Sequence, residues 1–202
     1  THTVRCMHGK GVSTYRVSDP SSWDQCLHNI LSMPKAEEGK LAEDKMAYKN
    51  IEGALEAGLK VGVYFFSQAV NEQEAIEEAE FALSITESWQ LDLPLVYDWE
   101  YTGTDTRIAG MTARQVTDCT TAFCRTVEEA GRKPMVYFNT DQARTLLYLE
   151  ELYQWPFWVA VYTDSPEFSE TVDMWQYTDS GFVPGISTNV DINLLFPRKA
   201  LA

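Results

Sequence analysis

At 202 residues, 45% of them hydrophobic, and with a formal net charge of −14, the chain is sized for one domain with a substantial core and is too apolar to be disordered. The acidity argues against nucleic acid, whose phosphates call for Lys and Arg, and against anionic membrane surfaces. No apolar run approaches the roughly 20 residues needed to span a bilayer, and the opening THTVRCMHGKG holds no apolar signal-peptide core.

Residues 1–40 have a character of their own. HTVRCMH and GVSTYRVS are short strand candidates, and SDPSSWDQCLHNILSM reads as a helix capped by Ser18 or Asp19 with Pro20 in its first turn. KAEEGK is a polar connector. From about residue 44 helix and strand patterns alternate. DKMAYKNIEGALEAG has apolar residues at helical spacing and stops at Gly58; LKVGVYFFS (59–67) is rich in β-branched and aromatic residues and reads as a strand. An acidic amphipathic helix follows over 71–85 with Asn71 as its cap, then a strand in LPLVYDWEY (93–101). The stretch 111–131 is a long helix closed by Gly131, KPMVYFN (133–139) a strand, and Asp141 to Leu152 a helix. FWVAVY (157–162), VDMWQYT (172–178) and VDINLLF (190–196) are three further strands with little room for helices between them.

Strand alternating with helix three times is the pattern of a parallel sheet. Followed by three helix-poor strands, it predicts an α/β fold, a modified TIM-like (β/α) barrel over residues 41–202, with residues 1–40 a divergent N-terminal segment. This pattern leaves the first two barrel strands unassigned. A doubly wound open sheet is the rival, but no Gly-rich phosphate loop follows any strand, which removes its nucleotide-binding version.

Four cysteines occur, Cys6, Cys26, Cys119 and Cys124, with no C-x-x-C spacing. Cys119 and Cys124 read as buried packing residues on a helix. His2, His8 and His28 all precede residue 40 and form no ligand motif, so neither a metal nor another cofactor is expected. No nucleophile-elbow motif is present either.

What remains is carboxylate chemistry. Asp98 and Glu100 lie two apart in LPLVYDWEY and therefore project from one face of their strand, with Cα atoms roughly 7 Å apart. Burying two like charges that close is unfavourable unless one takes up a proton, the condition of a general acid. In a parallel barrel, catalytic groups gather at the C-terminal ends of strands, where this pair sits. Asp191, at the start of the last strand, is the third acid. Tyr64 and Phe66, Tyr137, and Trp158 and Tyr162 share strand faces and offer rings for a sugar platform, and Gln176 is a polar residue within an apolar strand. Two carboxylates without a metal point to glycoside hydrolysis.

In that order, LKVGVYFFSQA, LPLVYDWEY, KPMVYFN, FWVAVY, DMWQYT and NVDINLLF resemble the strand motifs of glycoside hydrolase family 25, the Chalaropsis-type lysozymes of bacteria and their phages. The resemblance runs from about Gly39 to Phe196. It implies an eight-stranded barrel and cleavage of the β-1,4 bond between N-acetylmuramic acid and N-acetylglucosamine in peptidoglycan. It implies Glu100 as general acid, Asp98 assisting it, and Asp191 as the last-strand acid. Tyr64, Tyr137, Trp158 and Gln176 would line the sugar groove. Peptidoglycan is then the expected partner, and the expected location extracellular or at the cell wall. The family's first-strand G-x-D-V-S-like motif has no counterpart in residues 1–40, which keeps open a glycan-binding barrel that lacks this acid and does not cut. A glycosidase acting on another sugar is a third reading.

Overall fold

The strand-forming stretches are those whose side chains pack on both faces. KVGVYFFS and LVYDW are buried along almost their whole length, as expected of strands covered by helices on one side and a barrel interior on the other. A computed structural model describes residues 12–17, 25–31, 41, 43, 47–101, 107–163, 171–182 and 189–196. Its elements in chain order are β1 (Val12–Val17), β2 (Gln25–Leu31), α1 (Ala47–Glu56), β3 (Lys60–Ser67), α2 (Glu72–Thr86), β4 (Leu95–Trp99), α3 (Ala113–Glu129), β5 (Pro134–Asn139), α4 (Thr140–Thr145), β6 (Phe157–Ala160), β7 (Met174–Gly181) and β8 (Val190–Leu195).

The eight strands close into a barrel in chain order. Strands β2 to β7 run parallel to one another, while β8 and β1 run the opposite way. No helix separates β6, β7 and β8 among the described residues, so the last third of the barrel is helix-poor, as the sequence pattern predicts. Among the described residues no helix is long and apolar enough to cross a membrane.

Local signals set the helix ends. The Asn71 side chain caps α2 by accepting from Glu74 N at 3.0 Å, and Glu72 and Glu74 favour the positive end of the helix dipole. A capping box between Thr112 and Gln115 starts α3, and beyond its end Gly131 takes a left-handed φ of 76° that an L side chain would strain.

Alternation along the strands divides the core in two. Val61, Val63, Phe65, Leu95 and Tyr97 pack outward against the helices, whose facing residues include Ala75, Ala79 and Ala82 of α2 and Phe123 of α3. The alternate positions, Tyr64, Val96, Met135, Tyr137, Trp158, Ala160 and Met174, fill the barrel interior. Cys119 and Cys124 are both free and buried, in keeping with their reading as packing residues.

Two expectations are corrected. Within the stretch 18–33 read as a helix, the described residues Gln25–Leu31 are instead strand β2, paired antiparallel with β1 and parallel with β3. A strand flanked on both sides recovers all its backbone hydrogen bonds, and that outweighs a weak local helical preference. The helix expected from Asp141 to Leu152 stops at Thr145, and a separate 3-10 turn follows at Leu149–Glu151. Here the Tyr148 amide donates to Thr117 Oγ1 on α3 at 3.0 Å, and Leu149 and Leu152 turn into the outer core. GVSTYRVS does hold a strand, β1. The HTVRCMH stretch, Ser18, Asp19 and Pro20 lie outside the described residues.

Candidate active site

The residues that turn into the barrel at the C-terminal ends of β3 to β7 meet the start of the antiparallel β8. Register places Phe66 beside Asp98, Asp98 beside Tyr137, Tyr137 beside Trp158, and Gln176 beside Asn193. By strand parity Asp191 joins the same interior face as Asn193 and Leu195. Asp191, distant in sequence from Asp98 and Glu100, thus joins them at one end of the barrel. That is the end at which parallel barrels carry their sites.

Asp98 is only 6% exposed. Burial, then the charge of Glu100 and a hydrogen bond shared with it, then the charge of Asp191, hold its carboxyl well above the ordinary range. Glu100, one residue past the end of β4, is also raised by burial; the hydrogen bond from Asp98 opposes this and the charge of Asp191 adds to it. Both carboxyls are therefore held toward their protonated forms, Asp98 the more strongly, and Asp98 donates the hydrogen bond between them. The remaining Asp98 oxygen, Oδ1, is buried with no partner among the described protein groups. Asp191 is pushed up to about 6, chiefly by burial and then by the charge of Asp179.

Aromatic side chains line the interior around these acids. Trp158 meets the edges or faces of Tyr137 at 4.8 Å and Tyr64 at 6.2 Å, both near perpendicular. Its indole N–H donates to Asn193 Oδ1 at 2.8 Å. Gln176 is buried, and its Oε1 accepts from both Tyr137 Oη at 3.1 Å and Tyr162 Oη at 2.6 Å. Burial and the charges of Glu100 and Asp98 keep the Tyr137 phenol protonated and hence a donor. Tyr162, 52% exposed, stands at the rim.

The nine residues singled out from sequence fall into one region, with Tyr162 at its outer edge and Phe66 half-buried next to Asp98. Two residues bonded to the site and one buried acid outside it went unread. Asn193 fixes the Trp158 indole, and it stands two residues after Asp191, the same i, i+2 signal as Asp98 and Glu100. Gln142 reaches from α4 to the backbone before Glu100, and its spacing from Asn139 is that of a capping box. Glu78 is buried outside the barrel, hydrogen-bonded to the end of β3; its position on the apolar face of an acidic helix was the available clue. Neither β1 (VSTYRV) nor β2 (QCLHNIL) contains an acidic residue, so the described carboxylates of the site are Asp98, Glu100 and Asp191. Among the described residues, no three His, Cys, Asp or Glu side chains are placed to hold a metal ion.

The fold is a closed barrel with buried carboxyls among aromatic rings at the C-terminal end of its parallel strands, the end at which barrels of this class carry their sites. The family model of glycosyl hydrolases family 25 matches residues 22–186, and the chain belongs to that family. YegX, an uncharacterized protein of Escherichia coli K12, is 30% identical over 166 residues, covering 79% of this chain and 57% of its own length. An autolytic lysozyme of Clostridium acetobutylicum is 28% identical over 160 residues, 79% of this chain and 46% of its own. The chain thus spans about half the length of these curated relatives. A family 25 glycosyl hydrolase from Bacillus anthracis superposes with a TM-score of 0.70 at 19% identity, covering 98% of this chain and 95% of that one, a likeness of fold.

Proposed function

We propose that this chain is a peptidoglycan hydrolase, a muramidase cleaving the β-1,4 bond between N-acetylmuramic acid and N-acetylglucosamine. The observation that carries the reading is the pairing of two buried carboxyls, Asp98 and Glu100, both raised by burial, at the mouth of a family 25 barrel. Membership of the family and the lysozyme named among its relatives support the substrate class. The reading includes β1 and β2 in the barrel domain with the rest of the chain, and it puts the protein's work at the bacterial cell wall, outside the membrane.

In this reaction Glu100, the less buried of the pair, is the general acid. Its carboxyl gives a proton to the glycosidic oxygen as the bond from that oxygen to the anomeric carbon breaks. Asp98 keeps its own hydrogen bond to Glu100 and stabilises the carboxylate left there. The positive charge developing on the sugar ring faces the Asp191 carboxylate across the barrel mouth. Water supplies the hydroxyl that ends on the anomeric carbon, and its proton restores Glu100. Tyr64, Phe66, Tyr137, Trp158 and Tyr162 offer ring faces and edges to the sugars. Gln176, with its carbonyl occupied by two phenols, has its amide nitrogen left for substrate acceptors.

The test is release of new reducing ends from purified peptidoglycan. Turnover that depends on the N-acetyl groups of the glycan supports the muramidase assignment. Tight binding without any release of reducing ends would overturn it.

A further inference from the structure

The acid of the proposed mechanism sits on unusually unsupported backbone. β4 ends at Trp99, one residue before Glu100. On one side the ladder reaches Trp99 through its pairing with Ser67 of β3, but on the other it stops earlier, at Asp98 opposite Tyr137 of β5. Beyond Tyr137, β5 pairs onward with β6 and then turns into α4 at Thr140. The Trp99–Glu100 peptide therefore has no strand partner on the β5 side. A carboxyl that must hold its geometry would swing with that peptide.

Gln142 occupies the gap. Its Nε2 donates to the Trp99 carbonyl oxygen, the last backbone acceptor before Glu100. Its Oε1 accepts from Asn139 N at 2.9 Å, and its own backbone N donates to Asn139 Oδ1 at 3.0 Å. Both ends of the amide are thereby used, and the residue is 5% exposed. A six-residue helix needs no such reach toward a neighbouring strand in order to be capped. The cap consumes only the oxygen of the amide, while the nitrogen is spent on β4.

We infer that Gln142 is a positioning residue for Glu100, standing in for the missing β5 ladder bond and clamping the backbone that carries the acid beside Asp98. Its kinetic consequence rests on the muramidase reading; its geometric consequence does not. Glu100 is faced by Asp98, Asp191 and Tyr137. Losing the clamp lets its carboxyl leave that buried company for solvent.

Two variants of the full chain separate the clamp from the cap. Gln142→Met keeps the length and much of the volume but loses both hydrogen bonds. Gln142→Glu keeps the acceptor for Asn139 N and, once its carboxyl ionises, loses the donor to Trp99. The titration of Glu100, followed by carbon NMR of its labelled carboxyl, should move in Gln142→Met from its raised position back toward 4.5. On peptidoglycan, kcat should fall about tenfold or more in both variants with KM nearly unchanged, the pattern of a displaced catalytic group. In Gln142→Glu that loss should grow as pH rises and the introduced carboxyl ionises. A Glu100 titration unmoved in Gln142→Met, or wild-type kcat in either folded variant, would overturn the inference. If the wild type releases no reducing ends, the muramidase reading falls while the NMR titration still decides the clamp; should Gln142→Met fail to fold, kcat of Gln142→Glu decides it.

Discussion

Replacing Glu78 with Gln should abolish a specific pH dependence of stability. Glu78 lies on α2 at the same face as Ala75, Ala79 and Ala82 and is buried against the sheet. Its carboxylate accepts from Ser67 Oγ at 2.5 Å and from Gln68 N at 3.1 Å, and Ser67 Oγ in turn lies 2.9 Å from Tyr97 Oη. Glu74, Arg107, Tyr97 and Cys119 complete its charged and titratable surroundings. Burial dominates, and the carboxyl is raised from 4.5 to about 7. Folded Glu78 thus keeps its proton up to about pH 7, whereas the unfolded chain releases it near 4.5. Between those values the folded state binds more protons. The contribution is complete below about 4.5 and is lost as pH rises through about 7. At about 1.4 kcal/mol per pH unit, the span corresponds to roughly 3 kcal/mol. Gln keeps an acceptor for the Gln68 amide but does not titrate. Urea unfolding of both proteins from pH 4.5 to 8.5 gives the comparison. The stability of Glu78→Gln relative to wild type should grow by roughly 3 kcal/mol across this range. Parallel curves for the two proteins would refute the reasoning and place the Glu78 carboxyl in contact with water.

Two further outcomes follow from the site. Turnover should fall on the alkaline side as the Asp98–Glu100 pair loses its proton, and this limb should lie above the ordinary carboxylate range because both groups are raised. Asp191→Asn removes a charge that raises both, so the limb should move to lower pH; the pH–rate profiles of the two proteins check the shift, and a limb that stays in place counts against Asp191 facing the pair. Gly181 ends β7 opposite Val190, next to Asp191. A Cβ there would stand 2.2 Å from Ile192 Cδ1 and 2.9 Å from the Val190 carbonyl oxygen. Gly181→Ala should therefore destabilise the protein by about 1–3 kcal/mol, read as a shift in urea midpoint; an unchanged midpoint would mean that the hairpin adjusts freely.

The grouping of the candidate site residues was legible because it rests on alternation. Asp98 and Glu100 share a face by parity alone, and so do Tyr64 with Phe66; the barrel then brings Tyr137, Trp158 and Gln176 alongside them. Asp191 needed the antiparallel return of β8 to arrive at the same end, a pairing between distant segments that local pattern does not contain. β2 was misread for a related reason: its strand state depends on β1 and β3 as partners, while QCLHNIL by itself has no strong alternation. Gln142 and Glu78 escaped notice because each looks like an ordinary helix residue. Only the packing shows that one amide crosses to β4 and that one acid of an acidic helix faces inward.

The central claim, that Glu100 delivers the proton to a glycosidic oxygen, is tested most directly by peptidoglycan turnover of Glu100→Gln against wild type at equal folded concentration. Gln keeps the shape and can pair with Asp98 but has no acidic proton to give, and turnover should fall by roughly a hundredfold or more. Equal rates for the two proteins would contradict the account, leaving the protonated pair without a part in the reaction.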